Sequence, residues 1–262
     1  MKILFVGDVY ARPGRRAAAE WIPKIKESEA IDFCIVNGEN AAGGFGITEK
    51  IGRKFETYGA DVITTGNHVW DQRDSIPYIM SGGKVLRPAN YPPKVGGNGS
   101  GVFYSESGVA VGVACLQGRT NMRNLDCPFR IGRKVVDKLK EDVRVIVVDF
   151  HAEATSEKIA FGWFMDGRVS AVFGTHTHVQ TADETILPGG TAYITDVGMT
   201  GPHDSVIGAE KETVIKLFLD QMPVRFEPAT EDVKLCGVII EVDEETGKAV
   251  KIERLRISEE GS

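Results

Sequence analysis

The chain has 262 residues, 42% of them hydrophobic and 26% charged, enough to bury a large core in one α/β domain. Its net charge of −6 argues against a protein built to grip long nucleic acid, although a small phosphate held by local charge or metal stays open. The cysteines Cys34, Cys115, Cys127 and Cys236 show no C-x-x-C spacing, which excludes zinc-knuckle and thioredoxin readings.

The N-terminal "MKILFVGDVY" is a short apolar run that ends in Gly-Asp. It lacks the long apolar stretch and cleavage site of a signal peptide. No run reaches the ~18 residues of a membrane span, so a cytoplasmic protein with no membrane partner is expected. "AAAEWIPKIKES" has helical periodicity, with an interruption expected at Pro23. "DFCIVNGEN", a helix in "ITEKIGRKFETYG" ended by Gly59, and "ADVITTGNHVWD" continue the alternation. Continuous β-branched runs separated by helices indicate parallel strands buried on both faces.

From Val85 the pattern changes. "GSGVFYSESGVAVGVACLQG" reads as a hairpin turning at "SESG". A helix in "FRIGRKVVDKLKE" follows, then strands in "VRVIVVDFHAE", "VSAVFGTHTHVQ" and "TAYITDVGM". The tail alternates on both sides of "DEETGK", as an antiparallel hairpin does. The expectation is one domain over 1–262: mixed strands in two packed sheets with helices outside.

The polar residues at the strand ends are Asp8, Glu39, Asn40, Asn67, His68, His151, His176 and His178. In α/β sheets, ligands gather beyond the carboxyl ends of strands. A mixture of carboxylate, amide and imidazole suits borderline divalent metals such as Mn, Fe or Zn. Singly, each has a plain structural role. Asp8 caps a helix, Glu39 pairs with an arginine, the asparagines form turns, and the histidines sit satisfied in the core. Four of five histidines at strand ends fit that scatter poorly. In an extended segment, residues i and i+2 point the same way, so His176 and His178 are expected to face one side and Thr175 and Thr177 the other. Gly174 is expected to let the backbone turn.

"GD" at Gly7–Asp8, "GNH" at Gly66–His68, His151 and "GTHTH" at Gly174–His178 resemble the signature of calcineurin-like metallophosphoesterases. "GDVYARPGR", "NGENAAGGFGIT", "TGNHVWD", "DFHAEATSEK" and "GTHTHVQTAD" resemble the YmdB-like branch, bacterial phosphodiesterases acting on cyclic nucleotides. Two features depart from the broad superfamily and match the branch. Tyr10 stands where a histidine is usual, and Glu39, followed by Asn40, stands where an aspartate is usual.

The resemblance implies a four-layer α/β/β/α sandwich of two mixed sheets flanked by helices. It implies two divalent or mixed-valence metal ions, Fe or Mn, with Zn as an alternative. Asp8, Glu39 and His178, with Asn40, would hold one metal. Glu39, Asn67, His151 and His176 would hold the other, so that Glu39 bridges. A metal-bridging hydroxide would attack phosphorus, and His68 would protonate the departing oxygen, as an imidazole can near neutral pH. The implied substrate is a small phosphodiester, a 2′,3′-cyclic nucleotide first and a 3′,5′-cyclic one second. No stable complex with long nucleic acid is expected, and the protein itself is expected to be a homo-oligomer, dimer or tetramer.

Alternatives are a phosphoprotein phosphatase or nuclease on the same site, or a nucleotide-sensing regulator of RNA processing. Arg12, Arg15, Arg16, Arg119, Arg123, Arg130 and Arg133 are candidates for holding phosphate, though most read as surface. Thr155 and Ser156 either contact substrate or cap the next turn. His203 reads as loop structure or as a neighbour of the ligands.

Overall fold

A computed structural model describes residues 1–258. The elements, in chain order, are β1 Lys2–Val6, α1 Ala11–Ser28, β2 Phe33–Asn37, α2 Glu49–Tyr58, β3 Val62–Thr64, a 3-10 turn at Arg73–Ser75, α3 Ile76–Met80 and β4 Val85–Leu86. Then come β5 Ser100–Tyr104, β6 Ala110–Gln117, α4 Pro128–Leu139, β7 Val145–His151, α5 Thr155–Met165, β8 Ala171–Thr175, β9 Thr185–Ile186 and β10 Ala192–Ile194. The last are β11 Gly201–Pro202, α6 Lys211–Asp220, β12 Val233–Val242 and β13 Ala249–Ser258.

Among the described residues, one sheet has seven strands in the order β11-β12-β1-β2-β3-β4, with β13 paired to β12. The other has six, in the order β5-β6-β7-β8-β10-β9. In the first, β1 to β4 run parallel. In the second, β6, β7, β8 and β10 do. The period of 2 along a strand divides each strand between two cores. Ile3, Phe5, Phe33 and Ile35 face Val113, Val147 and Phe173 between the sheets, and the rings of Phe5 and Phe173 meet edge to face at 5.2 Å. The alternate residues Leu4, Val6, Cys34 and Val36 pack outward on Ala18, Ile22 and Phe55 of the helices α1 and α2. Leu116, Val148 and Phe150 pack outward on Val136, Phe161 and Met165 of α4 and α5. The result is the expected α/β/β/α sandwich, with two parallel blocks delivering their carboxyl ends to one edge.

Pro23 does not interrupt α1, which runs through it. Pro23 is exposed, while Ala18, Ile22 and Ile25 keep an unbroken stripe buried, so packing outweighs the lost backbone bond. Gly59 ends α2 with φ 106°, as expected of a left-handed cap. The hairpins β5–β6 and β12–β13 form in the expected places. Three α-helices lie outside the sequence expectations, α3, α5 and α6, as do the 3-10 turn and the short strands β4, β9 and β11. Thr155 and Ser156 begin α5 itself. Its cap is Ala154, without a side-chain bond, so the capping role is not used. Among the described residues, no helix is long and apolar enough to cross a membrane.

Cys34, Cys115 and Cys236 are buried and Cys127 is half-buried, all as free thiols. Burial pushes the thiols of Cys34 and Cys236 up to about 12 and that of Cys115 well above its ordinary range. Since the thiolate is the reactive form, native protein treated with DTNB at pH 8 is expected to release at most one equivalent, from Cys127. Two or more equivalents without denaturant would contradict this packing.

Candidate metal centre

Asp8 lies two residues beyond β1, Glu39 two beyond β2, and Asn67 three beyond β3, while His151 closes β7 and His176 follows β8. Asp8, Glu39 and His151 have no exposed surface, and Asn40 and His178 are almost fully buried. The structure brings Asp8, Glu39, Asn40, Asn67, His68, His151, His176 and His178 together at this edge of the two sheets.

Glu39 is held by backbone rather than by an arginine: the N–H groups of Gly66 and His68 donate to its two oxygens. The "GNH" block therefore wraps the carboxylate. Gly66 is needed because a Cβ there would lie 2.2 Å from the His151 ring. Asp8 does not cap α1, whose cap is Tyr10. Its Oδ2 accepts from the N–H of His176 at 3.1 Å, and its Oδ1 is buried without a hydrogen-bond partner.

The two histidines of "GTHTH" are not on an extended segment. The strand ends at Thr175, and His176 and His178 have φ of 98° and 65°, a left-handed conformation that costs non-glycine residues energy. The alternation argument therefore fails, and the rings go to separate neighbours. Gly174 does not turn the chain either. It lies in β8, where a Cβ would collide with the Thr195 carbonyl at 1.8 Å. The strained loop is tied down by Asp196, which accepts from the backbone and hydroxyl of Thr177 at 3.1 and 2.6 Å. Asp196 also accepts from Lys158 of α5 at 2.7 Å, with both side chains buried. Thr175 points to Asp149 and His151.

The hydrogen bonds around the rings decide their tautomers. The Thr175 hydroxyl donates to Asp149 at 2.7 Å, so its oxygen accepts from Nδ1 of His151 at 2.9 Å. The lone pair of His151 is then on Nε2. The Ile207 carbonyl accepts from Nδ1 of His178 at 2.8 Å, leaving the lone pair of that ring on Nε2. Nε2 of His176 faces Glu153 at 3.2 Å, which places its lone pair on Nδ1. Asn40 donates to the Gly44 carbonyl at 3.0 Å, so its Oδ1 faces inward.

Acceptors consequently meet acceptors. His151 Nε2 stands 3.1 Å from Nδ1 of His176, 3.1 Å from Asn67 Oδ1 and 3.6 Å from Glu39 Oε1. His178 Nε2 stands 3.3 Å from Asn40 Oδ1 and 3.9 Å from the unpartnered Asp8 Oδ1. Burial pushes the Asp8 carboxyl up to about 8, with Asp196 adding to the effect, and pushes Glu39 well up. Burial also lowers His151 well below its ordinary range, His178 below it, and His176 to about 4. Lone pairs crowded in a desolvated place are costly unless a cation joins them; a bound cation would oppose the upward shifts of the two carboxyls and, like burial, would keep the imidazoles unprotonated. The donor set thus fits metal ions of the borderline type. Among the described residues, no three His, Cys, Asp or Glu side chains have the spacing of a ready cation site. The rings rest directly on neighbouring acceptors, and each group draws on an asparagine, so loading requires the side chains to draw apart.

Two clefts flank the centre. A polar one of about 380 Å³ is lined by Asn67, His68, Asp71, Asn121, Arg123 and His176. An apolar one of about 320 Å³ lies beside Tyr10, Asn40, His68 and His178. His68 borders both, its Nδ1 held by Asp71 at 2.7 Å and its ring met edge-on by Phe45 at 5.0 Å.

The match to the family model of YmdB-like proteins runs over residues 4–255. The chain belongs to the YmdB-like family. It is 50% identical over 261 residues to the 2′,3′-cyclic-nucleotide 2′-phosphodiesterase of Bacillus subtilis (strain 168), covering 99% of this chain and 98% of that one. A crystal structure of a novel phosphatase from Mycoplasma pneumoniae superposes with TM-score 0.92 at 38% identity, covering 98% of this chain and 93% of that one. That of a hypothetical protein from Thermus thermophilus gives 0.91 at 40% identity, covering 99% and 100%.

Asp71, Asp149, Lys158 and Asp196 were missed in the sequence. Asp149 is marked only as a carboxylate inside the apolar run "VIVVDFH", Asp196 as one within "ITDVG" and Lys158 as the lysine of "TSEKIAFGWFM", while Asp71 has no mark of its own. Of the seven arginines that were candidates for holding phosphate, Arg123 borders the polar cleft. The side chain of Arg15 donates to the Ala41 carbonyl, and Arg133 pairs with Asp137 at the surface. His203 is loop structure, with Nε2 on the Met199 carbonyl at 3.0 Å.

Gly66→Ala is expected to keep the far-ultraviolet circular dichroism of the native protein yet weaken Mn²⁺ binding by at least about tenfold, the scale on which displaced ligands act. Calorimetric titration showing native affinity would mean that the ring has room. Lys158→Met leaves Asp196 buried and unpaired, and is expected to destabilise the protein by about 3–5 kcal/mol in urea unfolding. A loss below about 1 kcal/mol, the range of exposed pairs, would show that the pair is not desolvated.

Proposed function

We propose that the protein is a metal-dependent phosphodiesterase that hydrolyses cyclic nucleotides, 2′,3′-cyclic ones above all. The observation that carries the metal half is the meeting of lone pairs at His151 Nε2 and His178 Nε2. The substrate half rests on the 50% identity, over nearly the whole chain, to a 2′,3′-cyclic-nucleotide 2′-phosphodiesterase. On this reading the chain is a single metallophosphoesterase domain acting on a small phosphodiester in the cytoplasm, as a homo-oligomer. The exposed Trp163 beside Phe164 supports the last point.

Asp8, Asn40, Glu39 and His178 would hold one divalent ion, Fe or Mn. Glu39, Asn67, His151 and His176 would hold the second. When bound, two such ions supply Lewis acidity to the phosphate oxygens and a nucleophile made from water at neutral pH. The rest is the work of the chain. Asp149 and Thr175 hold His151 in the tautomer that offers Nε2, a neighbour contact that raises ligand quality. Asp196 and Lys158 hold the loop that carries His176 and His178. Arg123 brings positive charge to the phosphate from the polar cleft. Asp71 accepts from Nδ1 of His68 and fixes the ring; in its imidazolium form Nε2 would carry the proton given to the departing ribose oxygen as its bond to phosphorus breaks.

Asp8→Ala and Glu39→Gln are expected to abolish hydrolysis of 2′,3′-cAMP by the Mn²⁺-loaded protein. His68→Ala is expected to lower kcat by roughly 10²–10⁴-fold, as loss of a positioned acid does, while metal analysis finds native occupancy. Full activity and occupancy in Glu39→Gln would overturn the two-metal reading. Native protein that cleaves p-nitrophenyl phosphate but no cyclic nucleotide would overturn the substrate.

A further inference from the structure

We infer that the apolar cleft beside the metal centre is the seat of the substrate's nucleobase, with Phe218 as its principal contact; this rests on the cyclic-nucleotide reading above. The cleft is continuous with the site, because Asn40, His68, His176 and His178 form its inner end. Its other walls are Tyr10, Phe45, Ile207, Leu217, Phe218 and Phe226 with their small apolar neighbours. No Lys, Arg, Asp or Glu lines it. A charged occupant, such as a polyphosphate tail or an acidic peptide, would lose its hydration there without a partner. A flat neutral ring loses little and gains apolar contact.

The size agrees, at about 320 Å³, near the lower end of the roughly 300–1,000 Å³ of small-molecule pockets. The opposite cleft carries Arg123, so charge and apolar surface are segregated on the two sides of His68. A cyclic nucleotide has the same division, with an anionic phosphate at one end and an aromatic base at the other. Phe218 is 71% exposed and Ile207 57% exposed, although both line a cleft. Phe218 leaves the solvent only when something covers it. Aromatic side chains stack with any base, so the seat is tolerant of base identity.

The test uses the full chain. Adenosine, which has no phosphate, is titrated into metal-free protein and followed by saturation-transfer NMR. Binding is expected in the native protein, lost in Phe218→Ala and restored in Phe218→Tyr. With Mn²⁺-loaded protein, Phe218→Ala is expected to raise KM for 2′,3′-cAMP about tenfold, within the range of base stacking losses, and to leave kcat unchanged. The 2′,3′-cyclic phosphate of methyl riboside, which lacks a base, is expected to be cleaved equally by both proteins. If adenosine binds as expected but neither cyclic phosphate is cleaved, the cyclic-nucleotide reading fails and the cleft assignment stands. The assignment is overturned if adenosine does not bind, if both substrates suffer alike in Phe218→Ala, or if that variant changes only the oligomeric state.

Discussion

The crowding of lone pairs at the carboxyl ends of two parallel strand blocks is the constraint on which the rest of this structure depends. Three imidazoles, two carboxylates and two asparagines are brought into a desolvated space where almost nothing donates. Such a cluster is unfavourable by itself. Its geometry is kept by groups one step removed. Backbone N–H groups hold Glu39, Asp149 acts on His151 through Thr175, and the buried Lys158–Asp196 pair holds the strained loop that carries two of the rings.

These supports explain features of the fold that have no role in simple packing. Asp149 sits buried between apolar neighbours in β7, and its carboxyl is pushed up to about 7 by burial, opposed by the hydroxyls of Thr64 and Thr175. Lys158 is among the most fully buried large side chains of the chain. Both would be poor choices for a core selected only for stability. On the proposed metal-binding reading they are the framework that holds the imidazole nitrogens in fixed directions.

The surroundings divide the labour in the same way. The polar cleft with Arg123 and the apolar cleft with Phe218 meet at His68. A substrate bridging them would place its anionic end and its aromatic end on surfaces suited to each, with His68 between.

Most of the architecture is legible in the sequence, because its causes are local. Runs such as "DFCIVN" and "VRVIVVDF" mark buried strands by composition, Gly59 marks a helix end by its conformational freedom, and the strand ends announce themselves by an abrupt change to polar residues. Asp8, Glu39, Asn40, Asn67, His151, His176 and His178 can therefore be gathered from the order of residues alone. The tertiary structure decided what depends on residues far apart in the chain. It carried α1 through Pro23 by packing, and it replaced the extended spacing of His176 and His178 with two left-handed residues anchored to Asp196. It settled which nitrogen of each ring holds its lone pair, and it set Phe218 on the wall of a cleft that His68 also lines. Periodicity reports which face of an element is buried. A tautomer, an ion pair or a cleft wall requires the partner, and these partners come together only when the two sheets pack.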